Sequence, residues 1–196
     1  MPLFAPGSDE ALVAALRAGD ARARAQLFDA HGPHVQRVLA RVLGVDQELG
    51  DLLHDVFIEA YTSIARLDDP RALRGWLTTI AVFTARGCIR RRKRRSWLRF
   101  FGWDEMPEAA APAGQSEAAL ALRRVQAVLE RMPEDDRIAF ALRFLEGMEL
   151  TEVAAACQVS LATIKRRLSR AEERFRREAA SEPALGRWLD DEEESP

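Results

Sequence analysis

The sequence predicts an all-α protein of two small helical domains, the second of them a helix-turn-helix. Three observations carry that expectation. Ala, Leu, Arg and Glu dominate and β-branched runs are few, a composition of helix formers. Apolar residues recur at spacings of three and four, the period of a helix with one buried face. That periodicity lapses over "FGWDEMPEAAAPAGQ", residues 101–115, where two Gly, two Pro and three acids gather as they do in a linker. The expected organisation is a domain at 8–97, a linker at 98–115, a second domain at 116–180 and an acidic tail at 181–196.

The first helix is capped near Ser8 or Asp9 and runs to about Ala18; Gly19-Asp20 stops it, and Asp20 caps the second. The second carries Leu27 and Phe28, is perturbed at Gly32-Pro33, and continues through Val35, Val38, Leu39, Val42 and Leu43 to Gly44. A third spans about Gln47 to Ala65. "LDDPRA" is a turn, and a fourth helix starts at Pro70 or Arg71. It passes Trp76, Leu77, Ile80 and Phe83 and enters a basic run. Beyond the linker, a helix extends from Ser116 to Met132. Pro133 opens another over Glu134 to Leu145, which Glu146-Gly147 breaks. Two more occupy about 150–157 and 160–179.

The net charge of −2 hides strong local patches. Arg86 to Arg99 holds eight cations and no acid, and Leu161 to Arg177 holds seven against Glu172 and Glu173. Five consecutive acids, Asp190 to Glu194, mask them; without those the sum is −2 + 5 = +3. Such polarisation suits polyanion binding. All but Lys93 and Lys165 of the cations are Arg, the better fork for phosphate or guanine.

Several function classes drop out. No apolar stretch reaches the ~18 residues of a membrane span, and the N-terminus lacks a basic-then-apolar leader, so a cytoplasmic protein without membrane insertion is expected. Cys88 and Cys157 have no paired spacing and read as small hydrophobes. No nucleophile–base pair, phosphate-binding Gly loop or metal-ligand set is present; His31 and His34 flank a Gly-Pro that spoils their helical geometry. The expectation is no enzyme, no cofactor and no metal.

"LTEVAAACQVSLATIKRRLSRAEERFRR" carries the sharpest signal. Ser160 suits an N-cap. Leu161, Ile164, Leu168, Ala171 and Phe175 share one helical face, and Ala162, Thr163, Arg166, Ser169 and Arg170 lie opposite, with Lys165 and Arg167 on the flanks. Ala154, Ala155 and Ala156 permit a close helix crossing. An apolar seat with outward donors and flanking cations is the layout of a major-groove helix.

This stretch resembles region four of bacterial sigma factors, the subunits that direct RNA polymerase to promoters, and most closely the compact extracytoplasmic-function (ECF) type. The resemblance implies that Lys165, Arg166, Ser169 and Arg170 face bases of the minus-thirty-five element, with Thr163 and Arg167 near phosphates. The family usually has Gly where Gln158 stands. "DLLHDVFIEAYTSIARLDDPRALRGWLTTIA" is similar to sigma region two. There the first helix docks on the clamp of core RNA polymerase, which implies contacts from Asp51, Leu52, His54 and Asp55; the family usually has Gln at His54. "LDDPRALRGW" resembles the loop that captures an unpaired minus-ten base, with Arg66, Arg71, Arg74 and Trp76 as the matching chemistry. Core packing remains an equal reading for Trp76. Phe83 stands where the family commonly has Asn, and Gly87 where a polar residue is common. "RGCIRRRKRRSWLR" corresponds to the helix lying along spacer duplex, implying phosphate contacts from Arg86, Arg90, Arg91 and Lys93. Its cations, with Arg92, Arg94 and Arg95, are expected to repel one another unless a polyanion intervenes.

The resemblance spans about residues 8–178. It implies core RNA polymerase and promoter DNA as partners, an anti-sigma protein that wedges between the domains, and linker acids Asp104, Glu105 and Glu108 along the RNA exit path. A plain helix-turn-helix regulator that binds duplex DNA without polymerase is the alternative. The tail, "PALGRWLDDEEESP", reads as a solubilising segment or as a self-inhibitory one that covers the cations of 165–177.

Overall fold

The computed structural model describes residues 9–45, 47–100 and 117–179. Linker residues 101–115 and the tail therefore lie outside the described residues, while 98–100, expected in the linker, close the fourth helix. The described chain consists of α1 (Asp9–Arg17), α2 (Ala21–Leu43), α3 (Leu49–Ser63), α4 (Leu73–Phe100), α5 (Glu117–Glu130), α6 (Glu134–Phe140), α7 (Leu150–Cys157) and α8 (Leu161–Ala179), with no strand among the described residues.

The caps follow from local chemistry. Asp20 Oδ1 accepts from the Arg22 N–H at 2.8 Å and opens α2. Asp69 Oδ1 accepts from the Arg71 N–H at 3.0 Å. That contact starts a 3₁₀ turn, Pro70–Ala72, and α4 begins only at Leu73. Similarly, α3 ends at Ser63 and the chain tightens into a 3₁₀ turn, Ile64–Arg66. The helix expected over Glu134 to Leu145 is α6 followed by one π turn, Ala141–Leu145, in which the Glu146 N–H reaches back to the Ala141 carbonyl at 3.0 Å.

α2 continues through Pro33 to Leu43, as the sequence reading of one continuing helix has it. A proline inside a helix costs about 3 kcal/mol. Leu27, Val35, Val38, Leu39 and Val42, all fully buried on the same helix, each contribute about 1.5–3 kcal/mol. Burial on both sides of the proline outweighs the lost hydrogen bond.

One apolar cluster unites α1–α4 with Ile138, Ala139, Leu142, Val153, Ala154, Ala156, Cys157, Ile164 and Leu168 of the C-terminal half. A second, smaller one joins Val125, Val128, Leu129 and Met132 to Phe140, Ala171 and Phe175, with the Phe140 and Phe175 rings stacked at 5.0 Å. The two halves are thus packed together, α4 lying against both α6 and α7. Both cysteines are buried here, and burial pushes the Cys157 thiol up to about 11.

Polar groups also cross between the halves. Arg137 Nε donates to the Val42 carbonyl at 2.6 Å, and Gln126 Nε2 donates to the Arg41 carbonyl at 3.0 Å. Arg37 pairs with Glu146 at 3.0 Å. Beside that pair sits His34. The Thr78 hydroxyl donates to the Arg74 carbonyl at 2.9 Å, so its oxygen accepts from His34 Nε2–H, also at 2.9 Å. Nδ1 then offers its lone pair to Arg37 Nη2 at 3.4 Å and Arg74 Nη2 at 3.3 Å. Burial first, and the Arg74 charge second, push the imidazole down to about 4. The ring is held neutral.

Candidate nucleic-acid interface

The α7–α8 pair forms the expected helix-turn-helix. Gln158 ends α7 in a left-handed conformation, φ 54° and ψ 46°. Its N–H donates to the Ala155 carbonyl at 3.0 Å, and the Val159 N–H to the Ala154 carbonyl at 3.1 Å. This pair of reversed bonds is the Schellman closure that usually recruits Gly. Ser160 Oγ then accepts from the Thr163 N–H at 3.2 Å and caps α8. Ile164, Leu168, Ala171 and Phe175 are buried; Leu161, the first residue of the stripe, is 39% exposed. On the outer side Lys165, Arg166, Ser169 and Arg170 are exposed. Thr163 is half-buried, and its hydroxyl lies 2.9 Å from Ser160 Oγ, within the cap.

In the N-terminal half, Asp51, His54 and Asp55 lie exposed along one side of α3, while Leu52 is in the core at 2% exposure. Leu52 therefore supports this face from behind rather than standing on it. Arg66, Arg71 and Arg74 are exposed around the start of α4. Trp76 is half-buried against the core cluster. Arg90 and Lys93 are exposed and Arg91 is half-buried along α4.

Two family models match the chain. Residues 27–97 match the family described as sigma-70 region 2, and residues 122–175 match sigma-70, region 4. The chain is 30% identical over 173 residues to the RNA polymerase sigma factor NccH of Alcaligenes xylosoxydans xylosoxydans, covering 85% of this chain and 91% of that one. It is 28% identical over 170 residues to the ECF RNA polymerase sigma factor SigM of Mycobacterium tuberculosis, covering 87% and 84%. The chain belongs to the ECF sigma factors of the sigma-70 family. The fold matches that of the sigma factor RpoE solved with the anti-sigma factor NepR from Bartonella quintana, with a TM-score of 0.60, 22% identity, and coverage of 80% of this chain and 96% of that one.

As a sigma factor of this family, the protein is a promoter-specificity subunit of RNA polymerase. In the packed arrangement many of its cations already have carboxylate partners, contrary to the expectation of a run relieved only by a polyanion. Arg86 Nη2 meets Asp135 Oδ1 at 3.0 Å, and Arg167 Nη2 meets Asp135 Oδ2 at 2.6 Å; both guanidiniums are only 13% exposed. Arg90 lies 3.7 Å from Glu134. Arg92 and Arg95 pair with Glu48 at 3.0 and 3.2 Å. Burial pushes the Glu48 carboxyl up, but the hydrogen bonds of Arg92 and Arg95 and the charges of Arg92 and Arg91 outweigh that and leave it below the usual range. Arg170 takes Asp136 with both Nε and Nη2. Arg71 pairs with Glu10 at 3.2 Å in the open.

Sequence reasoning overlooked these acids. Glu134, Asp135 and Asp136 form the first turn of α6, a place acids favour for the helix dipole alone, so their position in sequence did not point to α8 or α4. It also overlooked Ile58, 47% exposed. Its spacing of four from His54 and three from Asp55 places it on their side of α3. Phe83, 43% exposed, carries the Arg86 guanidinium over its ring at 5.4 Å.

Proposed function

We propose that this sigma factor binds core RNA polymerase through the outer face of α3 with Asp51, His54, Asp55 and Ile58, and that it recognises promoters at two points. In this reading Arg66, Arg71, Arg74 and Trp76 engage displaced minus-ten strand. Arg90, Arg91 and Lys93, with Arg86 once released, follow spacer phosphates. Lys165, Arg166, Ser169 and Arg170 read minus-thirty-five bases, with Thr163 and Arg167 beside phosphates. The protein works in the cytoplasm without catalysis of its own. It is restrained by an anti-sigma partner that engages its two halves.

The single observation that supports this best is α8: a capped helix with a buried apolar seat and an exposed Lys165, Arg166, Ser169, Arg170 edge. Arg86 and Arg167 share Asp135 across the halves. In this reading DNA phosphates replace that carboxylate as the halves part. The test is transcription in vitro with core polymerase lacking sigma, on a library of randomised promoters. Discrete start sites bearing two shared upstream elements are the expected result. Duplex binding without any directed transcript would instead identify a helix-turn-helix regulator.

A further inference from the structure

Asp136 and Arg170 form an ion pair of unusual asymmetry. The carboxylate is 3% exposed and the guanidinium 57%. Oδ2 accepts from Nε at 3.2 Å and Oδ1 from Nη2 at 2.7 Å. Hydrogen bonding to Asp136 and its charge raise the Arg170 pKa further above its usual value, in keeping with a cation held in place. Both residues belong to the C-terminal half, so parting of the halves does not break the pair.

An arginine fork has two usable edges. Asp136 occupies the Nε/Nη2 edge. The Nη1/Nη2 edge remains, and its hydrogens point away from the bound carboxylate because the guanidinium is planar. That second edge presents two parallel N–H donors and can grip guanine O6 and N7. An unrestrained exposed Arg loses rotamer freedom on reaching a base; here that loss is already taken in the free protein.

We propose that Asp136 is a positioning residue for promoter reading: it fixes Arg170 so that its free edge meets a guanine in the upstream element. This rests on the sigma reading above and assigns a role to a residue that does not itself touch DNA. Its consequence has a distinctive sign. By electrostatics alone, a carboxylate under a DNA-facing helix repels phosphates, and removing it strengthens binding to every duplex. Positioning predicts the opposite for the cognate base only.

The experiment uses holoenzyme reconstituted from the full chain and core polymerase, presented with a duplex library randomised upstream of a fixed minus-ten element. Bound duplexes are sequenced, and total binding of the unselected library is measured at the same salt. With Asp136→Asn, enrichment of guanine at one upstream position should fall roughly 5-fold or more, while total binding stays level or rises. Arg170→Lys, which keeps the charge and loses the fork, should lose the same position. The double variant should lose no more than either single one. If Asp136→Asn fails to fold, judged by thermal melting and core binding, Asp136→Ser and Arg170→Lys carry the comparison. An unchanged enrichment profile, or a uniform change across all sequences, overturns the assignment and makes the pair purely structural or a phosphate contact. A wild-type library with no upstream motif overturns the sigma reading along with it, whereas a wild-type motif insensitive to both variants overturns this inference alone.

Discussion

His34 and Gln158 are two residues whose neighbours dictate measurable behaviour. His34 accepts at Nδ1 from two guanidiniums and donates at Nε2 to Thr78; burial and the Arg74 charge disfavour a second proton more than Glu146, 3.5 Å from Nδ1, favours it. Its folded value is about 4 against an ordinary 6.5. Between those values the unfolded chain takes up a proton that the folded chain refuses. Stability is therefore full above about pH 6.5 and falls as pH drops toward 4, by roughly 2 kcal/mol at pH 5. Denaturant midpoints at pH 7 and pH 5 should separate wild type from His34→Gln by about that amount, the variant losing less on acidification. An equal loss in both would assign the acid sensitivity to carboxylates instead. Gln158 holds φ 54° in the turn between α7 and α8, a region costing a side-chain-bearing residue about 1–2 kcal/mol. Gln158→Gly should raise the thermal midpoint by a few degrees and leave duplex affinity unchanged, because the Schellman bonds are backbone bonds. A lower midpoint would mean that the Gln side chain, not the turn, carries the stability at this site.

At the scale of the element, α8 divides its two tasks between two sides. Ile164→Ala should cost about 2–5 kcal/mol of stability, read by denaturant unfolding. Lys165→Ala should leave stability within about 0.5 kcal/mol yet weaken binding to the cognate duplex by about 1–3 kcal/mol and relax the preference at one upstream position. A Lys165 variant that lost stability instead would place the side chain against the protein. This division was legible in the sequence because a period of 3.6 fixes which residues share a side. Ile164, Leu168, Ala171 and Phe175 were identified as core in that way and are buried. Leu161 satisfies the same period and is exposed; periodicity gives direction around the axis but not how far the covering helices extend along it. Pro33 shows the complementary limit. A local rule says break, and only the burial of the flanking turns in a tertiary core overrides it. The acids were illegible for a related reason. Asp135 and Asp136 satisfy a local pattern completely, and their pairing with Arg86, Arg167 and Arg170 follows only from how α6 crosses α4 and α8.

Across the whole molecule, the two halves are packed through an interface that is apolar at its centre and poorly satisfied at its edges. Arg86 Nε, Arg137 Nη2, Arg167 Nη1 and Gln126 Oε1 are buried there without protein hydrogen-bond partners among the described residues. The apolar cluster that spans the halves holds the arrangement together. Asp135 is the clearest lever, since it and Arg167 belong to the C-terminal half and Arg86 to the other. Asp135→Asn removes the one carboxylate between two guanidiniums that are each 13% exposed. Because Asp135 is itself 37% exposed, the full penalty of breaking a buried pair does not apply, and about 1–2 kcal/mol is the reasonable share. The larger share of it falls on closure, because parting the halves separates the two guanidiniums and rehydrates them, while the Arg167–Asp135 pair lies within one half and is lost in either state. The open population should then rise roughly 5- to 30-fold. Small-angle scattering of the full chain should report a larger radius of gyration for Asp135→Asn, and duplex affinity at low salt should rise with it as Arg86 and Arg167 become available to phosphates. An unchanged radius would mean that the apolar cluster alone sets the packing of the halves. A larger radius without tighter binding would mean that the released cations do not reach DNA.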